Sequence, residues 1–342
     1  MGRDPVPLRR ASPRRAGGIV CMVVAFAVAL GAPVNASSVL WVPGTSGSLG
    51  AVLSQIFTID APLLGGAYED DTITTVEYPS AIWPITGVLD PTLGISVTDG
   101  VANLEAAVTA LATASGSLVV IGVSQGAMVV QQAAAAMNAD LSVSSDTTFV
   151  LIADPNFGLF ANLHGVYIPI LDYSPIDMPE TRFNIVVVVN QYDGFAQPIT
   201  QPWNLLTVIN ALMGIYYVHA LAHTTDLSTV PAENITTTTN SQGGTTTVYY
   251  VPTEKLPLTM PLRDLGVPDD IVDAIDAQLR PIIDQGYEPV PATRPAASVS
   301  ATASLALHTG STGRKRSTTK SATKAGGSAA STKSTGGSKR QR

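Results

Sequence analysis

The stretch that most constrains this chain runs from Leu118 to Gln132: Leu-Val-Val-Ile-Gly-Val-Ser-Gln-Gly-Ala-Met-Val-Val-Gln-Gln. A β-branched apolar run enters Gly-x-Ser-x-Gly, and a segment of helix-compatible residues leaves it. The order is strand, sharp turn, helix, with Ser124 at the apex. Such a turn strains the backbone of its central residue. The small residues Gly122 and Gly126 let the strand and the helix approach each other there. The Ser124 hydroxyl is then expected to project beyond the sheet, and the Gln125 N–H, at the start of a helix, to point toward a developing anion.

Other apolar runs give this turn a setting. Ser38 to Val42 reads as a strand followed by a flexible Pro43-Gly44-Thr45-Ser46-Gly47 turn, and Ser48 to Ile56 as the start of a helix. Thr72 to Tyr78 alternates like a second strand and stops at Pro79. Val97 to Ala114 places Val101, Leu104, Val108 and Leu111 at helical spacing. Thr148 to Ile152 and Ile185 to Val189 read as buried strands, Trp203 to Tyr217 as a helix, and 270–284 as a last helix. Thr236 to Thr239 and Thr245 to Val251 flank Asn-Ser-Gln-Gly-Gly as a hairpin. Residues 156–179, apolar but broken by Gly and Pro, read as a cap over the strand ends. Strands alternating with helices predict an α/β fold, a mostly parallel sheet with helices on both faces. Together with the elbow, they predict the α/β-hydrolase fold.

Composition divides the chain into three. Residues 1–36 hold five arginines and one acid, then an apolar run from Gly17 to Ala32 and the small residues Val34-Asn35-Ala36, a pattern expected of a secretory signal peptide. Residues 291–342 are rich in Ser, Thr, Ala, Gly and Lys, with ten basic residues and no acid, and are expected to form a disordered cationic tail. Between them, 37–290 keep 4 of the 19 basic residues and 25 of the 26 acidic ones, a formal charge near −21. A body this acidic argues against nucleic acid as a partner. The tail is expected to contact anionic cell-envelope polymers or the chain's own acidic body. The one cysteine, Cys21, lies in the expected signal peptide, so export would leave a core without disulfides. The expected location is secreted or in the cell envelope.

A serine nucleophile needs a base and an acid that orients it. The order Ser, acid, His makes His219 and His223 candidate bases, while His164 lies in the cap and His308 in the tail. Asp193 follows a buried strand in Asn190-Gln191-Tyr192-Asp193-Gly194 and is the leading candidate acid, with Asp154 and Asp226 as others. Thr45, by its N–H or its hydroxyl, is the candidate second donor to an oxyanion beside Gln125.

The elbow Gly122-Val123-Ser124-Gln125-Gly126-Ala127 resembles that of cutinases. A longer ordered pattern resembles the PE-PPE domain, a family of serine α/β-hydrolases, across roughly residues 38–289. It includes Gly44-Thr45, Asp154-Pro155-Asn156, Tyr192 to Ala196, Asn210 to Gly214, Val218-His219, Thr247 to Thr253, and Pro257-Leu258 through Pro261 to Gly266. The resemblance implies Ser124, Asp193 and His219 as a triad, with esterase activity on short to medium acyl esters and no metal or cofactor. The expected signal peptide stands where PE or PPE helical regions would precede the domain, as the resemblance implies for free-standing members. His223 stands where an aromatic is more usual, so His223 stays an alternative base. The substrate expected is an acyl ester or lipid. Two other readings fit the same residues: an acyltransferase of envelope glycolipids, and a non-catalytic envelope-binding protein.

Overall fold

A computed structural model describes residues 38–49, 62–111 and 117–287. The expected signal peptide, the basic tail and most of the expected helix between Ser48 and Ile56 lie outside the described residues; of that helix only a 3₁₀ turn at Gly47–Leu49 is described.

Seven strands form one sheet: β1 (Ser38–Val42), β2 (Thr72–Thr75), β3 (Leu118–Val123), β4 (Thr148–Ile152), β5 (Asn184–Asn190), β6 (Ile235–Thr239) and β7 (Thr245–Val251). Their order is β2-β1-β3-β4-β5-β7-β6. All neighbours are parallel except the β6–β7 hairpin. The chain leaves β1 toward β2 and returns on the other side as β3, so the order reverses between β1 and β3. In open parallel sheets the crevice beyond the strand ends at such a point is where ligands bind. The loops holding Thr45 and Ser124 both open there.

Because side chains alternate along a strand, each central strand feeds two cores. Register aligns Leu40, Val120, Phe149 and Ile185 in one row. This row packs with helix α1 (Leu93–Leu111), through Leu93, Val97, Leu104 and Val108, and with helix α2 (Gln125–Ala136). The opposite face presents Val39, Ile121, Val150 and Val188 to Leu64, Ala222, Leu227 and Val230. Among the described residues, this second face is covered by 3₁₀ turns (Leu63–Gly66, His219–Thr224, Leu227–Thr229). Helix α3 (Leu205–Tyr217), a short α4 (Met260–Asp264) and α5 (Asp269–Asp284) stand beyond β5, where Tyr192, Ala211, Leu256, Ile283 and Tyr287 build a third, smaller core.

Most predicted elements are present with shifted ends. β2 is shorter than expected, ending at Thr75, after which Val76 N–H still donates to Trp41 O at 2.8 Å. α1 begins at Leu93 rather than Val97. The expected cap, 156–179, contains turns and a lone bridge between Ile168 and Tyr173, but no helix or strand.

Candidate active site

The elbow begins with a geometric demand. A Cβ on Gly126 would lie 2.1 Å from Val42 O, and one on Gly122 2.3 Å from Gly126 O, so glycine alone lets α2 start this close to β1 and β3. Ser124 takes φ 54° and ψ −118°, a conformation costly for a residue with a side chain. Its N–H donates to Ile152 O at 2.9 Å, and its carbonyl accepts from Ala127 and Met128. Thus the strain is held by bonds on both sides.

A left-handed residue also ends each of the next two strands, Ala153 (φ 54°) after β4 and Tyr192 (φ 68°) after β5. An aspartate follows each one. Asp193 is fully buried. Its Oδ1 accepts the Phe195 and Ala196 N–H groups at 2.9 and 3.0 Å, and both its oxygens lie 2.9 Å from His219 Nδ1. The loop is braced from below, since Gln197 Oε1 accepts Tyr192 N–H at 2.6 Å and the Tyr192 hydroxyl donates to Asp284 Oδ1 at 2.7 Å.

Helix α3 delivers the imidazole. A Cβ on Gly214 would fall 1.9 Å from Tyr192 O, so the helix can rest on the aspartate loop only with glycine there. Two residues after α3 ends, His219 enters a 3₁₀ turn with its ring against the edge of Phe195, centroids 4.8 Å apart at 77°. His219 Nε2 lies 2.8 Å from Ser124 Oγ. A continuous chain of hydrogen bonds therefore runs from Asp193 through His219 to Ser124. The His219 imidazole is 12% exposed, so water has limited access to the ring.

Such a chain can draw a proton from the hydroxyl as the oxygen attacks an electrophile, with the carboxylate holding the imidazole in one tautomer. The Gln125 N–H opens α2 and, as at any helix start, has no carbonyl four residues back to bond. The Gln125 side chain is buried; its Oε1 accepts the Thr45 hydroxyl at 3.2 Å and its Nε2 donates to Ala81 O at 2.9 Å. That side-chain tie, between the loops after β1 and β2, had no sequence signal beyond the residue itself.

Residues 70–288 match the PE-PPE domain model. The chain belongs to the PE-PPE domain family. Similar proteins of Mycobacterium tuberculosis include the SL1278 acyltransferase Chp1, 38% identical over 81% of this chain and 70% of Chp1. The diacyltrehalose acyltransferase Chp2 is 34% identical over 62% of this chain and 64% of its own length, and the esterase PE16 35% identical over 61% and 41%. The chain thus spans less than two thirds of Chp2 and of PE16.

The other candidates sit elsewhere in this PE-PPE domain. His223 shares the 3₁₀ turn with His219, yet its ring neighbour is Trp41, 6.4 Å away, and burial holds its pKa below the ordinary imidazole value. His164 is bound on both ring nitrogens, to Asp177 Oδ1 at 2.5 Å and Asn156 O at 2.8 Å. Asp226 caps its own turn by accepting from Ser228 N–H and Oγ–H. Asp154 is fully buried, with Oδ1 accepting Asn156 N–H at 2.9 Å and Oδ2 without a partner. Burial pushes this carboxyl up to about 7, so it is held largely neutral below that pH.

Proposed function

We propose that this PE-PPE domain is a serine enzyme acting on acyl esters, with Ser124, His219 and Asp193 as its triad and hydrolysis of short to medium acyl esters as its reaction. The hydrogen-bonded chain from Asp193 to Ser124 carries the reading. Ser124 Oγ attacks the ester carbonyl carbon as its proton moves to His219 Nε2. The negative charge gathers on the carbonyl oxygen, which the N–H groups of Gln125 and Thr45 receive. Because the Thr45 hydroxyl donates to Gln125 Oε1, its N–H is the donor left for this role. Collapse of the tetrahedral intermediate passes the proton to the leaving alkoxide and leaves an acyl-serine. Water then attacks with His219 again as base, and the acid leaves. Every proton in this cycle has a place on these side chains or on water, so the scheme calls on no metal or cofactor. Export to the cell envelope belongs to the same proposal, on the pattern of residues 1–36.

A chain-length series of p-nitrophenyl esters on the parent and on Ser124→Ala tests the reading. Turnover should fall on the order of 10³-fold or more in the variant; equal turnover refutes it. The second reading, transfer of the acyl group to a sugar hydroxyl instead of water, is favoured by the names of Chp1 and Chp2. Products analysed with and without a sugar acceptor separate the two: acylated sugar supports transfer, free acid alone supports hydrolysis.

A further inference from the structure

Charge is unevenly spread over this acidic body. Residues 78–89, 155–171 and 194–225 contain no Asp, Glu, Lys or Arg. Each of these segments reaches the site. Ala81 O accepts from the Gln125 side chain, Leu159 N–H donates to Phe195 O, and the third segment carries Phe195 and His219 themselves. Among the described residues, fourteen of the twenty exposed large hydrophobic side chains stand on these three segments. Apolar side chains scattered singly over a surface are ordinary; a concentration around one site marks a binding face.

Helix α3 gives the concentration a direction. Leu205, Leu212 and Tyr216 lie on one face of it and are 68%, 56% and 54% exposed, and Trp203 just ahead of them is 76% exposed. This stripe runs along the helix for about 16 Å and ends beside the turn that holds His219. The loop after β2, which reaches Gln125 through Ala81 O, adds Leu89, 95% exposed.

We propose that this face docks on the surface of an uncharged lipid assembly, with α3 lying along it. The charge pattern selects that partner. The stripe has no cation to meet anionic headgroups, and the body behind it, near −21, is repelled by them. Exposed Trp and Leu are the residues that enter a neutral lipid interface readily. The inference rests on the acyl-ester reading for its purpose, to bring lipid to Ser124, but docking itself requires no chemistry.

The test is flotation of the full chain with phosphatidylcholine vesicles at high salt, which suppresses any contribution of the basic tail, together with quenching of tryptophan by brominated phosphatidylcholine. The parent and Ser124→Ala should bind alike, so loss of activity and loss of docking are read separately. The double variant Leu205→Asp/Leu212→Asp should bind about tenfold or more weakly, while hydrolysing a water-soluble short-chain ester as the parent does. Trp203→Phe should lose the larger share of the quenching. Vesicle binding that is absent in the parent, or equal in the double variant, overturns the proposal. So does a parent dimer that the double variant splits, since a second copy then covers the helix.

Discussion

Replacing Asp193 by Asn alters one atom at the foot of the hydrogen-bonded chain. Oδ1 accepts two backbone N–H groups, from Phe195 and Ala196, at 2.9 and 3.0 Å, so the amide oxygen must take that place. The amide NH₂ is then left where Oδ2 now stands, 2.9 Å from His219 Nδ1. A donor facing Nδ1 makes that nitrogen an acceptor and moves the ring proton to Nε2. Nε2, 2.8 Å from Ser124 Oγ, can no longer accept the hydroxyl proton. Loss of the base by this route costs about 10⁴-fold in kcat, or roughly 5.5 kcal/mol of transition-state stabilisation. The fold should lose much less, about 1–2 kcal/mol, because both backbone bonds keep an acceptor. The assay is kcat on a short-chain p-nitrophenyl ester, paired with a denaturant midpoint. If the Asp193→Asn variant is folded and turns over within tenfold of the parent, the reasoning is refuted.

The remaining expectations use other parts of the same geometry. His219→Phe should abolish turnover, while His223→Phe should keep it within about threefold, since the second ring serves as packing beside Trp41; comparable losses in both contradict this. Gly126→Ala places a methyl 2.1 Å from Val42 O. It should therefore cost about 3 kcal/mol or more in stability, and a parental denaturation midpoint is the contrary result. Asp154 titrates near 7 in the folded chain and near 3.9 unfolded. Between those values the folded state keeps a proton that the unfolded state releases. Stability should therefore fall as pH rises from about 4 to about 7 and level off above, by up to roughly 4 kcal/mol. Asp154→Asn has no proton to lose and should flatten that interval in a series of denaturant midpoints, whereas equal slopes in variant and parent contradict the account.

Much of the frame was legible because it depends on local pattern. The β-branched runs of β3, β4 and β5 are strands buried on both faces, and the elbow needs its glycines within a five-residue motif. Ends were less legible. α1 starts a turn early because Thr92 prepares it, its Oγ accepting Ile95 N–H at 3.4 Å and its carbonyl accepting Ser96 N–H at 3.0 Å. β2 shrinks to an edge whose four residues are all exposed, and the buried Val76 that follows bonds Trp41 O without extending the strand. The cap lacks regular structure, and side chains tie it to α2 instead: Asn156 Nδ2 donates to Gln131 Oε1 at 2.6 Å and Gln132 Nε2 to the Tyr173 hydroxyl at 3.0 Å.

Chain order alone kept His223 beside the preferred His219 as a candidate base. Four residues apart, they would share a face of an α-helix; in a 3₁₀ turn, with three residues per turn, they point about 120° apart. Only one of them can then face the serine. The tie from Gln125 to Thr45 and Ala81, and the contact of Phe195 with His219, join residues 80, 44 and 24 positions apart, a distance over which periodicity carries no information.

The central claim is that Ser124 is an activated nucleophile, and a fluorophosphonate reads this directly. The account predicts one covalent adduct per chain, mapped by mass spectrometry to Ser124, absent in Ser124→Ala and formed far more slowly in His219→Phe. No adduct on the folded protein, an adduct at another residue, or a labelling rate untouched by the loss of His219 contradicts it.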